Sequence, residues 1–355
     1  MCRPYHRLDR AIRKIPLRIS ALDRRIAVAP MMDWTDRHCR YFLRGFTPHA
    51  LLYTEMITAA AILRGDRAKL LEFDPEEHPV ALQLGGSDPK ELAQAAKAGA
   101  EAGYDEINLN CGCPSDRVAS GAFGACLMLE PDRVAECVAA MVASVTVPVT
   151  VKMRVGVVSS RQLVAKFDEA DYEALHTFVY KVHGAGCRVA IIHARKAVLG
   201  GLSPKDNRQV PPLRFDVVKR IKQAFPQLPV IVNGGIRQSS TALEALTWCE
   251  GVMLGREAYH RPFVLRELDQ ALYPGGKLQT SREEMLDRMA RYTQKELSRG
   301  GRLSSITRHM LGLYGGQPGA REFRRFLSEG SRRPEAGAEL IRNAARHLAS
   351  EFVSN

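Results

Sequence analysis

Cys113 lies in the run Ile107-Asn108-Leu109-Asn110-Cys111-Gly112-Cys113-Pro114-Ser115, where a short apolar stretch gives way to glycine, proline and serine. A thiol at the end of a strand can act as a general acid or as a nucleophile. Its unperturbed pKa of about 8.5 keeps it mostly protonated near neutral pH, which suits proton donation without special tuning. A nucleophile would want a neighbouring base, and no histidine lies close to Cys113 in the sequence. Both roles stay open, as does that of an inert buried cysteine.

Other residues with chemical capacity fall at the ends of apolar runs: Pro30-Met31-Met32, Gln83, Lys152 and His193. Asn233-Gly234-Gly235-Ile236 and Leu254-Gly255-Arg256 end the last two runs, where glycine lets backbone N–H groups approach a phosphate and Arg256 adds a charge. An oxidised isoalloxazine needs hydrogen bonds along its pyrimidine edge and a cation near N1–C2=O, tasks that Gln83 and Lys152 suit. Met31 and Met32 offer polarizable surface to a ring face. Each also has a plain reading: an ion-paired lysine, a structural imidazole, core methionines, turn glycines.

Eight apolar runs of strand length must position these residues: IAVAPMM (26–32), ALLYTEM (50–56), PVALQL (79–84), EINLNCG (106–112), PVTVKMRVG (148–156), RVAIIHAR (188–195), PVIVNGG (229–235) and GVMLGR (251–256). They are mostly continuous, as strands buried on both faces are. Helical segments such as 91–103 and 131–145, the latter opening with Pro131-Asp132, separate several of them. The pattern predicts an α/β fold, a (β/α)₈ TIM barrel with its site at the strand C-termini. A doubly wound open sheet is the alternative, against which stands the lack of a strand-following G-x-G-x-x-G. After about residue 270 amphipathic helices follow, and Arg321, Arg324 and Arg325 share one face of a helix starting after Gly319. That face is either merely solvated or a grip for phosphates. The expected organisation is a basic extension over 1–25, disordered or translated from an upstream start, a barrel over 26–270, and a smaller helical domain over 271–355.

The 51 basic and 39 acidic residues leave a net charge of +12, which favours a polyanionic partner without identifying it. Eight cysteines in 355 residues, with no Cys-x-x-Cys pair, read as reduced thiols rather than a disulfide framework or a zinc site. No apolar run approaches the roughly 18 residues of a membrane span. The Arg- and Lys-rich first 25 residues lack the apolar core of a secretory signal. A cytoplasmic, metal-free protein is expected, without membrane contact.

On these motifs the sequence resembles the flavin-dependent tRNA-dihydrouridine synthases, and among them the subfamily called dihydrouridine synthase A. The segments that carry the likeness are APMMDWTDRHCRYFLR (29–44), LLYTEM (51–56), VALQLGG (80–86), YDEINLNCGCPSDRVASGAFGACLM (104–128), VTVKMRVG (149–156), VAIIHARKAVLGGLSPKDNRQVPPLR (189–214), VIVNGGI (230–236) and VMLGREAY (252–259). The resemblance implies FMN held by Pro30, Met31, Met32, Gln83, Lys152, His193, Asn233, Gly234, Gly235, Gly255 and Arg256. It implies Cys113 as the proton donor, and tRNA contacts at Asn110, Lys205, Arg208, Arg321 and Arg324. The implied reaction reduces the C5=C6 bond of D-loop uridines 20 and 20a with NADPH as a transient reductant, by ping-pong kinetics, in a monomeric enzyme. Cys111 departs from the family, where an aliphatic residue stands, and reads as a local oxidation liability. Two other functions compete: a flavin barrel acting on a free pyrimidine, which leaves the basic tail unexplained, and a non-catalytic RNA-binding protein that retains an old barrel.

Overall fold

The computed structural model describes residues 22–114, 123–160, 162, 166–200, 202–203, 205–275 and 280–353. Eight parallel strands close into a barrel in chain order: β1 Ile26–Val28, β2 Leu51–Thr58, β3 Val80–Gly85, β4 Glu106–Cys111, β5 Val149–Arg154, β6 Ala190–His193, β7 Val230–Asn233 and β8 Gly251–Leu254, which pairs back to β1. A helix follows each strand: α1 Arg37–Arg44, α2 Ala59–Arg64, α3 Pro89–Glu101, α4 Pro131–Ser144, α5 Glu169–Gly184, α6 Phe215–Ala224, α7 Ser239–Ala245 and α8 Phe263–Leu272. Together they form the (β/α)₈ TIM barrel that the alternation of runs predicts. Helix starts are written locally, since Asp36, Thr58, Asp88 and Asp168 cap α1, α2, α3 and α5 with their side chains, and proline opens α3 and α4.

Some bounds differ from expectation. β1 stops at Val28 rather than continuing to 32, because Pro30 has no N–H to give the ladder. β6 covers only Ala190–His193. Beyond it the chain turns into a short ribbon not foreseen from sequence, in which Val157–Val158 pairs in parallel with Ala197–Val198 above the ends of β5 and β6.

Side chains inside the barrel divide into two halves. Ala27, Ala29, Leu51, Tyr53, Ala81, Val189, Ile191, Ile231 and Met253 form an apolar cluster. Gln83, Glu106, Asn108, Asn110 and Thr150, on β3 to β5, are polar and buried, joined to one another by hydrogen bonds. Alternation does this, since Ile107, Leu109 and Cys111 point the other way, into the layer between strands and helices. At the barrel base Leu22 packs on the apolar cluster and Arg24 pairs with Glu106 at 2.7 Å. Residues 1–21 of the basic leader lie outside the described residues.

The tail forms α9 Arg282–Ser298, α10 Leu303–Thr307, α11 Ala320–Gly330 and α12 Glu339–Val353. It rests on α1 at the barrel mouth. Tyr41 stacks on Tyr292 with ring centroids 4.0 Å apart, His38 Nδ1 lies 2.7 Å from the Tyr292 hydroxyl, and Arg37 pairs with Glu296. Among the described residues no helix is long and apolar enough to cross a membrane.

Candidate active site

A cavity of about 2260 Å³ opens at the C-terminal ends of the strands and runs out beneath α10. Pro30, Met31, Met32, Gln83, Lys152, His193, Asn233, Gly234, Gly235, Gly255 and Arg256 all line it, as do Asn110, Cys113 and Arg208. Barrel closure brings together residues that are more than 200 positions apart in sequence.

Cys113 stands just beyond β4, partly exposed to this cavity. Asn110 shapes the turn below it, its side-chain oxygen accepting from the N–H of Gly112 at 2.9 Å and of Cys113 at 3.0 Å. The Arg154 guanidinium clasps the same loop through Gly112 O at 3.0 Å, while also donating to Asn207 O at 3.0 Å and His193 Nδ1 at 3.3 Å. Sequence reading missed Arg154. An arginine near a strand end looks like any rim charge until folding surrounds it with carbonyls.

Cys111, two residues before Cys113, is fully buried in the strand–helix layer. Burial pushes its thiol pKa well up. The expectation of an oxidation liability is therefore corrected: a buried, protonated thiol resists oxidants.

Lys152 projects into the mouth from β5. Burial and then the neighbouring Arg154 push its pKa down to about 7. Among the described residues none accepts a hydrogen bond from its amine, which leaves it able to meet an anionic group in the cavity. Burial, followed by Arg154, Lys152, Arg195 and Arg208, pushes His193 well below its ordinary pKa, so it is a neutral imidazole at physiological pH.

At the ends of β6 to β8 the arginines crowd. Arg195, Arg208, Arg237 and Arg256 all line the cavity, and among the described residues none forms an ion pair with a carboxylate. Burial, then Arg256, lowers the pKa of both Arg195 and Arg208. The buried Nε of Arg195 has no hydrogen-bond partner. Beside them Gly234 and Gly235 adopt φ of +108° and +70°, left-handed backbone that favours glycine, and a Cβ on Gly235 would also push the Leu213 side chain aside. Unpaired guanidiniums beside left-handed glycines make an anion cradle. With Lys152 and Gln83 further along the cavity, the donor set fits a flavin mononucleotide, phosphate at one end and pyrimidine edge at the other. Asn233 is partly engaged already, since its Nδ2 donates to Met253 O at 2.7 Å.

The remaining expected RNA contacts separate. Lys205 is exposed on the loop after the 197–198 ribbon strand, outside the cavity lining. Arg321 and Arg324 are exposed on α11, opposite buried Phe323 and Leu327. They too lie outside the cavity lining. Trp34, stacked on Tyr259 at 4.5 Å, and Arg308 also line the cavity and carried no sequence signal beyond their type.

A family model described as dihydrouridine synthase matches residues 27–349. The chain is 54% identical over 322 residues to a protein of Xanthomonas campestris named tRNA-dihydrouridine(20/20a) synthase, covering 91% of this chain and 93% of that one. Proteins of the same name from Shewanella oneidensis (52% identical, 94% and 96% covered) and Synechocystis (53% identical, 90% and 93% covered) are similarly close. With the match running from the first barrel strand into the last helix, the chain belongs to the dihydrouridine synthase family.

Proposed function

We propose that this flavin-dependent oxidoreductase reduces the C5=C6 bond of uridines 20 and 20a in the D-loop of tRNA. The observation that carries the reading is one cavity holding Cys113 on one strand end and the unpartnered Lys152 on the next. Its relatives bear the corresponding name.

Pro30, Met31 and Met32 would lie against the ring of FMN, Gln83, Lys152 and His193 along its polar edge, and Asn233, Gly234, Gly235, Gly255 and Arg256 around its phosphate. When bound, FMN would supply the two-electron chemistry, a hydride that comes from NADPH and goes to uracil C6. The protein's own task is the proton. As the C5=C6 π bond breaks and C6–H forms, Cys113 gives its thiol proton to C5, and the thiolate recovers one from solvent. No histidine need activate Cys113, because donation starts from the protonated thiol. Asn110 holds the Cys113 loop with its oxygen and Gln83 with one N–H, so its other N–H remains for the base.

The base must leave its stack to reach the barrel floor, and unpaired loop uridines incur the smallest penalty. Lys205, Arg208, Arg321 and Arg324 grip the RNA backbone, with residues 271–355 acting as the RNA-holding unit of a cytoplasmic monomer. NADPH shares the cavity before RNA enters, which makes the kinetics ping-pong.

The test is dihydrouridine measured position by position in unmodified tRNA treated with the purified yellow protein and NADPH. Product at 20 and 20a is expected. None, from a flavin that NADPH still reduces, overturns the reading in favour of a free pyrimidine substrate.

A further inference from the structure

A hydrogen-bond chain runs up the polar half of the barrel from its base to the Cys113 loop. Glu106 begins it: Oε2 takes Arg24 Nε at 2.8 Å, and Oε1 takes the Thr150 hydroxyl at 2.7 Å and the Tyr53 hydroxyl at 2.5 Å. Thr150 Oγ1 then accepts from Asn108 Nδ2 at 2.9 Å, Asn108 Oδ1 from Gln83 Nε2 at 2.7 Å, and Gln83 Oε1 from Asn110 Nδ2 at 2.9 Å. Asn110 Oδ1 closes the chain on the backbone N–H groups of Gly112 and Cys113. Every side chain from Glu106 to Asn110 on this path is at least nine-tenths buried.

The two ends have fixed and opposite signs. The Glu106 carboxylate, which meets Arg24 at 2.7 Å and has donors on both oxygens, is the accepting end, and backbone N–H groups only donate. Thr150 has one proton and must give it to Glu106, so Asn108 must turn its NH₂ toward Thr150 and its carbonyl toward Gln83. The same rule passes through Gln83 to Asn110. Only one orientation of the three amides satisfies both ends. A ligand in the cavity therefore meets a preset pattern of N–H groups from Gln83 and Asn110, and the Cys113 turn is tied to the barrel base.

We propose that Thr150 and Glu106 are positioning residues for Gln83 and Cys113, acting through this directional chain although neither reaches the cavity. The idea rests on the reading of Cys113 as the proton donor. Thr150→Val keeps the shape but leaves the Asn108 NH₂ buried without an acceptor, and Thr150→Ser restores the hydroxyl. Tyr53→Phe is the control, since it removes a donor from the same carboxylate oxygen, beside Thr150, but leaves the Thr150–Asn108 link in place.

The readouts are the alkylation rate of the Cys113 peptide by iodoacetamide, followed by mass spectrometry between about pH 6.5 and 9, and the kcat and KM for tRNA. Thr150→Val is expected to change the alkylation rate at least threefold and lower kcat roughly tenfold, with KM within about twofold, the scale of one buried hydrogen bond lost. Thr150→Ser and Tyr53→Phe are expected to match wild type. Thr150→Ala repeats the measurement if the valine variant does not fold. Wild-type alkylation and kcat in the valine or alanine variant, or equal effects from Tyr53→Phe, overturn the proposal. If wild-type protein forms no dihydrouridine, the functional reading fails alone, because the alkylation profile still decides the chain.

Discussion

Arg154 donates to Nδ1 of His193 across 3.3 Å, and this contact decides what the imidazole offers to a ligand. A guanidinium can only donate, so Nδ1 accepts and the single proton of the neutral ring sits on Nε2. That nitrogen faces Gly234, where an added Cβ would lie 3.3 Å from it. The strand end thus presents an N–H beside Gly234, and both residues line the cavity.

His193→Gln, which keeps an N–H at a similar reach, is expected to bind FMN within about threefold of wild type, while His193→Leu weakens it about tenfold, one hydrogen bond's worth. Titration of apoprotein with FMN by fluorescence quenching measures both. Equal affinities in the two variants would show that the imidazole N–H is not used.

Cys113→Ala is expected to keep its yellow colour and its NADPH-dependent flavin bleaching, yet form dihydrouridine about 10²- to 10⁴-fold more slowly, the range for a lost general acid. Stopped-flow reduction and single-turnover product formation separate the two halves. A normal product rate would remove Cys113 from the mechanism.

The site was legible where chemistry coincides with strand ends. Gly234-Gly235, Gly255-Arg256, Lys152 and His193 stand out because a strand's last residue and the loop after it must face the barrel mouth. The polar interior was half legible: Glu106, Asn108 and Asn110 alternate with Ile107, Leu109 and Cys111 at the period of a strand, but nothing local says that Gln83 or Thr150 would meet them across neighbouring strands. Arg154 and Arg195 were illegible for the same reason, as their partners are carbonyls of Gly112, Asn207 and Gln209 on distant loops. The 157–158 and 197–198 ribbon is too short to leave a periodic signal.

Lys152 gives the ligand-free protein a measurable pH dependence. With its pKa lowered from 10.5 to about 7 by burial and Arg154, the unfolded chain binds more protons than the folded one between these values. Stability from this group therefore rises with pH across that window, and the charged amine is a cost below it. Lys152→Met is expected to stabilise apoprotein by about 1–3 kcal/mol near pH 6 and flatten this slope, while weakening FMN binding. Urea melts at several pH values check the first, FMN titration the second. Wild-type FMN affinity is expected to fall as pH rises past about 7, where the Lys152 amine loses the charge that the proposed contact with the flavin uses.

Asp36 ties the tail to the barrel, capping α1 through Cys39 N at 3.0 Å and accepting from Arg308 at 2.6 Å and His309 at 3.0 Å. Burial alone would raise its pKa, but His309, the Cys39 N–H and Arg308 together hold it well below the usual carboxylate range. A depressed folded pKa means stability that is present above the unfolded value and lost as pH falls through the folded one. Asp36→Asn is expected to cost about 1–3 kcal/mol at pH 7, a penalty that shrinks in strong acid as the wild-type carboxylate protonates. A constant difference across pH in urea melts would show that the charge is not what matters.

Arg321 and Arg324 share the exposed face of α11, the face proposed to hold the RNA backbone. Each phosphate neutralised by a side chain releases condensed counterions, so the pair contributes to the salt dependence as well as the affinity. Replacing both with alanine is expected to raise the tRNA dissociation constant about tenfold near 0.1 M salt and make the log–log salt slope shallower by about 1.5–2, with flavin reduction by NADPH unchanged. Neither residue lines the cavity, so kcat at saturating tRNA should hold while KM rises. Filter binding over a salt series decides it: an unaltered slope would mean that this face is simply solvated, and the RNA grip would then have to come from Lys205, Arg208 and the cavity rim.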